Sequence, residues 1–309
     1  MTHEQEPRKR LNKMSTSEQA TPSIFDTLIG HYTDSAGLLG IVSDGSMRAT
    51  NIRFLNDAQE YKLAFQEAVI ILREYLDTET PHRNIIEDTI RDLPLSTRAS
   101  SCFVISFSEH YDSLSQWRGY GGSGQAYFIG FNKERLASHA ATLGWRLTPC
   151  TYDRGVHHWV TRQIVEPIMR ELLEEAPGDG RIQKWGLHNA ISFALETIAA
   201  SFKHRGFREE AEVRLISPPI RYASPLVKYR PSHRGIIPYV DFPLPKVVTS
   251  LYSEAVPPVD EELLDVEQLI LGPGRDEDSL GVAHAFMRAS GVKLGNGSFG
   301  SSTPFVRSQ

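Results

Sequence analysis

Two glutamates, Glu210 and Glu212, stand two residues apart at the entrance to a short apolar run. Side chains alternate faces along an extended strand, so we expect both carboxylates to lie on one face, followed by Arg214. Ala211 and Val213 would then face the packed side. Two carboxylates on one face could act as an acid and a base, or stabilise a cationic transition state. The same pattern also fits a solvated strand edge with an ion pair, so other residues must decide between them.

A second candidate cluster lies near the start of the chain, where His31, Tyr32 and Thr33 follow an apolar run. In a strand, His31 and Thr33 would project to one face and Tyr32 to the other. A histidine at this position could donate a hydrogen bond to a ribose hydroxyl or to a carbonyl. The alternative is a structural histidine whose ring nitrogens are satisfied inside the protein.

Two further segments combine cations with aromatic or polar residues. Arg53 could bind a phosphate, whereas Asn56 and Asp57 are suited to cap the following helix. The segment from Ser113 to Gly122 is predicted to be a glycine-rich loop in which aromatic rings stack on a ligand and the backbone approaches it closely. An ordinary hairpin loop anchored by a packed tryptophan is the alternative. The candidate residues of this loop are Ser113, Ser115, Trp117, Arg118 and Tyr120.

The elements that must position these residues follow from hydrophobic periodicity and breaker residues. Strands are predicted at 47–54, 101–107, 125–131, 145–152, 235–242, 267–271 and 292–294, and proline-rich loops at 243–245 and 256–258. Helices are predicted at 35–42, 63–75, 84–93, 132–142, 156–176, 182–204 and 279–290. Pro149 indicates that its strand lies at a sheet edge or carries a bulge, and the break at 177–180 predicts a helical hairpin. Because strands and helices do not alternate regularly, the pattern favours an α+β fold over a doubly wound α/β fold.

Bulk properties exclude several classes of protein. The chain has 309 residues, 40% of them hydrophobic, and a formal net charge of −5, which gives no global attraction to nucleic acid or to an anionic membrane. No apolar run approaches the roughly 20 residues that cross a bilayer. Cys102 and Cys150 lack the spacing of a zinc site or a disulfide framework, which favours a reducing cytoplasm. The polar segment 1–22 is predicted to be a disordered tail.

Taken in order, the motifs resemble a large bacterial family of unknown function. The set comprises H-Y-T near the start, L-N-D-x-x-E, S-Q-W-R-x-Y before a strand ending in G-F, E-x-E-x-R, L-G-P and a closing S-x-P-F. That family in turn resembles the ADP-ribosyltransferase fold, including the DarT-like toxins. The resemblance implies a mixed or antiparallel β core in a single domain at 23–309, with a helical-hairpin insert at about 155–205.

The same resemblance implies a cytoplasmic mono-ADP-ribosyltransferase that uses NAD as its substrate and needs no metal. It would be a toxin or an anti-phage effector that modifies RNA, DNA or protein, and it would not bind a membrane. An antitoxin or other regulatory protein could inhibit it. Cleavage of the nicotinamide–ribose bond builds positive charge on the ribose, which a carboxylate stabilises. Glu212 is expected in that role, and Glu210 would orient or deprotonate the acceptor.

An NAD-binding set follows from the resemblance as well. His31 and Thr33 would hold a ribose and the nicotinamide amide, Tyr120 or Trp117 would stack on the nicotinamide, and a nearby arginine would meet the pyrophosphate. The residues expected to be catalytic are Glu212, Glu210, His31 and Tyr120. The residues expected to bind NAD are His31, Tyr32, Thr33, Arg53, Ser115, Trp117, Arg118 and Tyr120.

Two other classes of function remain open at this point. A metal-dependent nuclease or other hydrolase could use the same acidic residues, and its activity would depend on a divalent ion. A non-catalytic nucleotide-sensing or binding module of the same fold would bind a ligand without turnover. The transferase differs from both, because it consumes NAD and requires no divalent ion.

Overall fold

The computed structural model describes residues 27–55, 61–93, 100–120, 125–176, 178, 180–232, 235–253, 256–273 and 277–301. The expected tail at 1–22 lies outside the described residues, as do the helix cap at Asn56 and Asp57 and the closing S-x-P-F motif at 302–305. The other candidate site residues all lie within the described ranges.

The described chain is a mixed α+β protein, as the sequence predicts. Its strands are β1 Leu28–Asp34, β2 Ser46–Asn51, β3 Ser100–Ser101, β4 Phe103–Ser108, β5 Ala126–Asn132, β6 Arg146–Pro149, β7 Glu212–Ile216, β8 Ile220–Arg221, β9 Lys228–Ser232, β10 Gly235–Pro243, β11 Lys246–Ser253, β12 Val256–Val266, β13 Gln268–Leu271, β14 Val292–Leu294 and β15 Ser298–Gly300. Its α-helices are α1 Ser35–Asp44, α2 Tyr61–Glu74, α3 Arg83–Asp92, α4 Leu114–Tyr120, α5 Lys133–Thr142, α6 Arg154–Glu174, α7 Arg181–Trp185, α8 Leu187–Ala199 and α9 Glu277–Ala289. Short 3-10 helices occur at Ile52–Phe54, Tyr75–Asp77 and Arg205–Glu210.

A ten-stranded sheet organises the structure around β4. The main path of this sheet runs β15-β13-β5-β1-β4-β2-β10-β9, with β7 and β6 branching from β4. β7 pairs along one edge of β4, while β1 and β2 pair at opposite ends of its other edge. These pairings are antiparallel, whereas β13 and β15 are parallel. β4 therefore brings β1 and β7 together, although they are far apart in the sequence.

The alternation of side chains along β4 separates two apolar clusters. Phe103, Ile105 and Phe107 enter the first, which α1, α5 and α9 cover. Val104 enters the second, which α2, α3, α6, α7 and α8 cover. The sheet is thus packed on both faces, which explains why the strand SCFVISF is almost continuously apolar. Polar side chains occur in β4 only toward its C-terminal end.

The two long helical segments expected at 156–176 and 182–204 are present, but the second ends earlier than expected, at Ala199, and is broken once. α6 begins after Asp153, whose carboxylate caps its first turn. The second segment is interrupted at Gly186, whose φ of 90° is incompatible with a helix, and this break separates α7 from α8. Because α6 and α8 both pack against α2, the expected insert forms one helical layer with that earlier helix.

Local sequence signals at two strand ends are confirmed. The side chain of Asn132 accepts a hydrogen bond from the Arg135 backbone N–H at 3.0 Å and so begins α5 as predicted. β6, which contains Pro149, pairs with β7 on one side and with no second strand in the described part of the chain. This edge position matches the missing backbone donor of proline.

Three segments differ from the sequence prediction. The strand expected at 47–54 ends at Asn51, because the Asn51 side chain accepts a hydrogen bond from Arg53 N and begins a 3-10 turn. The proline-rich segment 256–258, expected as a loop, starts β12, where pairing with β11 overrides local propensity. The glycine-rich loop expected at 113–122 contains α4.

Three further properties of the described residues concern cysteines, metal binding and membrane spanning. Cys102 and Cys150 are both buried and are not joined in a disulfide. Within the described ranges, no group of three or more His, Cys, Asp or Glu side chains is arranged to hold a metal ion. Among the helices described, none has both the length and the apolar character needed to cross a membrane.

Candidate active site

Candidate residues from distant parts of the chain meet at one small cavity beside the end of β4. His31 on β1, Tyr120 at the end of α4, Glu210 just before β7 and Glu212 at its start all line it. Ser108 of β4 explains this convergence, because it pairs with β1 on one side and with β7 on the other. The complete lining is Gly30, His31, Tyr32, Ser106, Phe107, Ser108, Gln116, Tyr120, Glu210 and Glu212.

Glu210 and Glu212 do not lie on one continuous strand, contrary to the sequence prediction. Glu210 ends the 3-10 helix Arg205–Glu210, and β7 starts only at Glu212. Between them, Ala211 has a φ of 41°, in the left-handed region that non-glycine residues rarely adopt. The chain therefore turns between the two glutamates, and their convergence must come from another residue.

Lys203 joins the two carboxylates. Its Nζ donates a hydrogen bond to Glu210 Oε2 at 2.6 Å and another to Glu212 Oε2. Arg214, one strand period after Glu212, donates from Nε to Glu212 Oε1 at 2.8 Å. Lys203 and Arg214 are each only 2% exposed. The result is a cluster of two anions and two cations, in which the positive charges balance the negative ones.

The environment of Glu212 fixes its ionisation. Burial alone would raise the pKa of Glu212, but the charges and hydrogen bonds of Arg214 and Lys203 outweigh burial and hold that pKa at about 2. Glu212 therefore stays ionised at neutral pH. It can accept hydrogen bonds and balance positive charge, but it is not a general acid.

His31 is held in one tautomer by its neighbour in β4. Its Nδ1 lies 2.8 Å from the Ser106 carbonyl oxygen, which can only accept, so Nδ1 carries the proton. Burial lowers the pKa of His31, and the hydrogen bond to Ser106 only partly opposes that effect. The ring is therefore neutral at pH 7 and its Nε2 is an acceptor. His31 can accept a hydrogen bond from a ribose hydroxyl, in place of the donation that the sequence predicted.

The neighbours of His31 follow strand alternation, since Tyr32 packs in a different apolar cluster from Phe107, which the His31 ring contacts. Tyr32 also lines the cavity, and its hydroxyl donates to the His110 carbonyl at 2.5 Å while accepting from Ser113 N at 3.0 Å. Burial raises the pKa of Tyr32, so its hydroxyl stays protonated. Thr33 does not line the cavity, because its Oγ1 occupies the space beside Gly37 of α1. Tyr32 therefore braces the segment before α4, and Thr33 is not brought to the site.

The two aromatic candidates of α4 have opposite environments. Trp117 is 3% exposed, its Nε1 donates to Asp112 Oδ1 at 2.8 Å, and its ring packs edge-on against Tyr32 at 4.7 Å. Trp117 thus anchors α4 in an apolar cluster and cannot stack on a ligand as it stands. Tyr120 is 45% exposed and lines the cavity. Of the two rings, only that of Tyr120 is available to a ligand.

Residues 116–215 match the model of a family described as a protein of unknown function, DUF2971. No curated protein and no solved structure matches the chain. The matching segment covers Tyr120, Lys203 and both glutamates, but it excludes His31. It agrees with the expected resemblance to a family of unknown function, whereas the resemblance to ADP-ribosyltransferases stays a prediction.

Three other candidates lie away from the cavity lining. Arg53 follows β2, which pairs with the opposite end of β4, and its guanidinium stacks over the Tyr61 ring at 5.5 Å. Within the DUF2971-matching segment, Arg118 is exposed on α4 and does not line the cavity. Ser115 lies just before that segment, and its Oγ is 3.0 Å from Ser113 Oγ at the surface. The structure does not bring these residues to the carboxylates.

Sequence reasoning missed four residues of the site. Ser108 Oγ donates to the Glu210 carbonyl at 2.7 Å and accepts from His110 N at 3.0 Å, so it fixes the turn before β7. Ser106 sets the His31 tautomer, and Gln116 is a buried lining residue. Strand alternation and the S-Q-W-R-x-Y motif could have indicated these three. Lys203 precedes Glu210 and Glu212 in an irregular segment, where no periodicity points to it.

The cavity is small. Its volume is about 10 Å³, which is room for roughly one water molecule. A larger cavity of about 420 Å³ lies between α9 and β14, lined by residues that include His284, Arg288 and Lys293, but it contains none of the expected site residues. Ligand pockets typically measure about 300–1,000 Å³. The candidate site can therefore hold one group of a ligand, with the rest lying over the exposed side near Tyr120.

Proposed function

We propose that the protein is an NAD-dependent mono-ADP-ribosyltransferase whose reaction takes place at the cavity between β1 and β7. The observation that carries the proposal is that His31 and the paired glutamates line one cavity although they lie on distant segments. The motif resemblance supplies the class of reaction, and it implies an ADP-ribosyltransferase-like fold for the mixed sheet. The exposed ring of Tyr120 adds a surface on which nicotinamide can stack.

The chemistry requires a negative group close to the ribose. When the nicotinamide–ribose bond breaks, the bonding pair leaves with nicotinamide and the ribose becomes cationic. The acceptor then bonds to the anomeric carbon, and its proton passes to solvent water. Lys203 and Arg214 balance the charge of both glutamates, so these four side chains together carry no net charge. Stabilisation must therefore come from a carboxylate oriented directly at the ribose. The neutral His31 Nε2 would accept a hydrogen bond from a ribose hydroxyl.

The biological setting of this proposal rests on the resemblance alone. DarT-like toxins modify nucleic acid, so we propose a cytoplasmic toxin or anti-phage effector that acts on RNA, DNA or protein. A toxin of this kind would have an antitoxin or other regulatory protein as its partner. Acceptor specificity depends on contacts outside the small cavity. The experiment below therefore tests RNA, DNA and protein separately.

The decisive experiment incubates the purified full-length protein with NAD that carries a label in its ADP-ribose part. Separate pools of RNA, DNA and protein are offered, each with and without a chelator. We expect nicotinamide release and transfer of label to one pool, unaffected by the chelator. Glu212→Gln should abolish both, whereas Glu209→Gln, a change at the exposed neighbouring glutamate, should leave them intact.

Other outcomes would contradict the proposal. NAD consumption that is unchanged in Glu212→Gln would show that the reaction does not take place at the proposed site. Cleavage of nucleic acid that the chelator abolishes would indicate a metal-dependent nuclease or hydrolase instead. Binding of NAD with no release of nicotinamide by the wild-type protein would indicate a nucleotide-sensing or binding module.

A further inference from the structure

The two glutamates differ in the acceptor capacity that remains to them. Glu212 Oε1 accepts from Arg214 Nε at 2.8 Å, and Glu212 Oε2 accepts from both Lys203 Nζ and Arg214 Nη2. Glu210 Oε2 accepts from Lys203 Nζ at 2.6 Å, but its Oε1 has no hydrogen bond with any other described residue. The Glu210 side chain is 26% exposed and that of Glu212 only 6%. The carboxylate oxygen that is open to a substrate is therefore Glu210 Oε1.

Lys203 is itself held in place from several directions. Its backbone N–H donates to the Thr151 carbonyl at 2.9 Å. Its Nζ lies 5.0 Å from the centre of the Phe207 ring, in the 3-10 helix that ends at Glu210. Arg214 holds the Glu212 carboxylate, which in turn binds Lys203. The position of Lys203 Nζ is therefore fixed where it binds Glu210 Oε2. The backbone of Glu210 is fixed separately, since Ser108 Oγ donates to its carbonyl at 2.7 Å.

We infer that Glu210, rather than Glu212, is the catalytic carboxylate that contacts the substrate, and that Lys203 and Glu212 are positioning residues that orient it. This inference rests on the proposed function, and it moves the stabilisation of the ribose cation from Glu212, where the motif resemblance puts it, to Glu210. Glu210 Oε1 faces the ribose as the bonding pair leaves with nicotinamide, while Oε2 stays bound to Lys203. Use of Glu212 would instead require breaking a buried ion pair with Arg214 or Lys203, which is energetically costly.

The inference is tested by steady-state kinetics of nicotinamide release in five variants. Glu210→Gln should lower kcat about 100-fold, as is typical for the loss of one electrostatic contact in a transition state. Its KM for NAD and its melting temperature should match those of the control Glu209→Gln. Lys203→Met should also lower kcat with little change in KM, and Lys203→Arg should recover part of that loss, because a cation again binds Glu210. Glu212→Gln should lower the melting temperature most.

A loss of kcat without a change in KM, together with partial recovery in Lys203→Arg, would show that Lys203 positions Glu210. A purely structural role would not produce this combination. An Lys203→Arg variant that melts like the wild type and yet is as inactive as Lys203→Met would overturn the role of Lys203. A Glu210→Gln variant with wild-type kcat, alongside a folded but inactive Glu212→Gln variant, would return the catalytic role to Glu212.

A second measurement does not depend on NAD turnover. Carbodiimide coupling with a small amine, read by mass spectrometry on the folded wild-type protein, should modify Glu210 well before Glu212. The reverse order would overturn the inference. A wild-type protein that shows the expected labelling order but never releases nicotinamide would contradict the proposed reaction, while confirming which carboxylate is open.

Discussion

Arg214 and Glu212 form a buried ion pair on one face of β7, with Arg214 Nε 2.8 Å from Glu212 Oε1. Residues two apart in a strand share a face, so this pair follows directly from the local sequence E-V-R. Lys203 adds a second cation from outside the strand. Since an unpartnered buried charge is costly, the folded state depends on the ionised form of Glu212.

This dependence predicts an acid-sensitive contribution to stability. The folded-state pKa of Glu212 is about 2, below its ordinary value of 4.5. A depressed pKa contributes stability above the unfolded-state value, and the contribution is lost as the pH falls from about 4.5 toward 2. We expect about 3 kcal/mol of unfolding free energy to disappear across that window. Urea unfolding at pH 7 and pH 3 should show about 2 kcal/mol of this loss, the part that falls between pH 4.5 and pH 3.

The matched variant is Glu212→Gln, which cannot titrate. It should be about 3–5 kcal/mol less stable than the wild type at pH 7, because Arg214 and Lys203 lose their shared partner. Its stability should also fall less between pH 7 and pH 3. Glu209→Gln provides the control for loss of a charge at an exposed position. Equal acid dependence of the wild type and Glu212→Gln would contradict this account.

Local signals predicted much of the fold, because their causes are local. The Asn132 cap, the edge position of Pro149 and the apolar strand β4 all follow from interactions within a few residues or from burial on both faces. The pairing of Glu212 with Arg214 is of the same kind. The α+β class followed from the order of such elements. In each case, the sequence within about ten residues contains the physical reason.

Features that depend on distant contacts could not be predicted in this way. The convergence of Glu210 with Glu212 depends on Lys203 and on the left-handed turn at Ala211, and no sequence pattern specifies either. Trp117 is buried because Tyr32 packs against it from another strand. Tertiary packing, and not residue type, therefore determines that Trp117 is buried and Tyr120 is exposed.

Those opposite environments give a second prediction. Trp117→Phe removes the hydrogen bond to Asp112 and should cost about 1 kcal/mol, whereas Trp117→Ala should cost about 3–5 kcal/mol by opening a cavity. Tyr120→Ala should leave stability nearly unchanged, because the side chain is half exposed. Under the proposed function, Tyr120→Ala should instead weaken the binding of NAD, seen as a raised KM. Denaturant unfolding and NAD titration distinguish the two residues. Equal destabilisation by Trp117→Ala and Tyr120→Ala would contradict the assigned roles.

A third prediction concerns Gly30, which lines the cavity on β1. A Cβ at this position would overlap the ring of Phe128, which is fully buried and packs against Tyr32. Gly30→Ala should therefore destabilise the protein by about 1–3 kcal/mol through overpacking. Gly40→Ala is the matched control, since Gly40 lies in α1 with no atom near its Cβ position, and alanine there should stabilise the helix by about 0.5–1 kcal/mol. Thermal unfolding should show shifts of opposite sign, and shifts of the same sign would argue against the packing described.

The fourth prediction follows from the neutral ring of His31. Because burial lowers its folded-state pKa below 6.5, the unfolded chain takes up a proton before the folded protein does. Stability should therefore decline as the pH falls below about 6.5. His31→Asn should lessen this decline, because its amide can still donate to the Ser106 carbonyl but cannot titrate. Unfolding free energies at pH 7.5 and pH 5.5 measure the effect.

The same variant separates stability from catalysis. His31→Asn loses the Nε2 acceptor, so under the proposed function kcat/KM for NAD should fall at pH 7.5, where both proteins are folded. His204→Asn, the same substitution at an exposed histidine, is the control. If His31→Asn and the wild type lose the same stability between pH 7.5 and pH 5.5, His31 is not held neutral by burial. In that case its Nε2 is not reserved as an acceptor for the ribose.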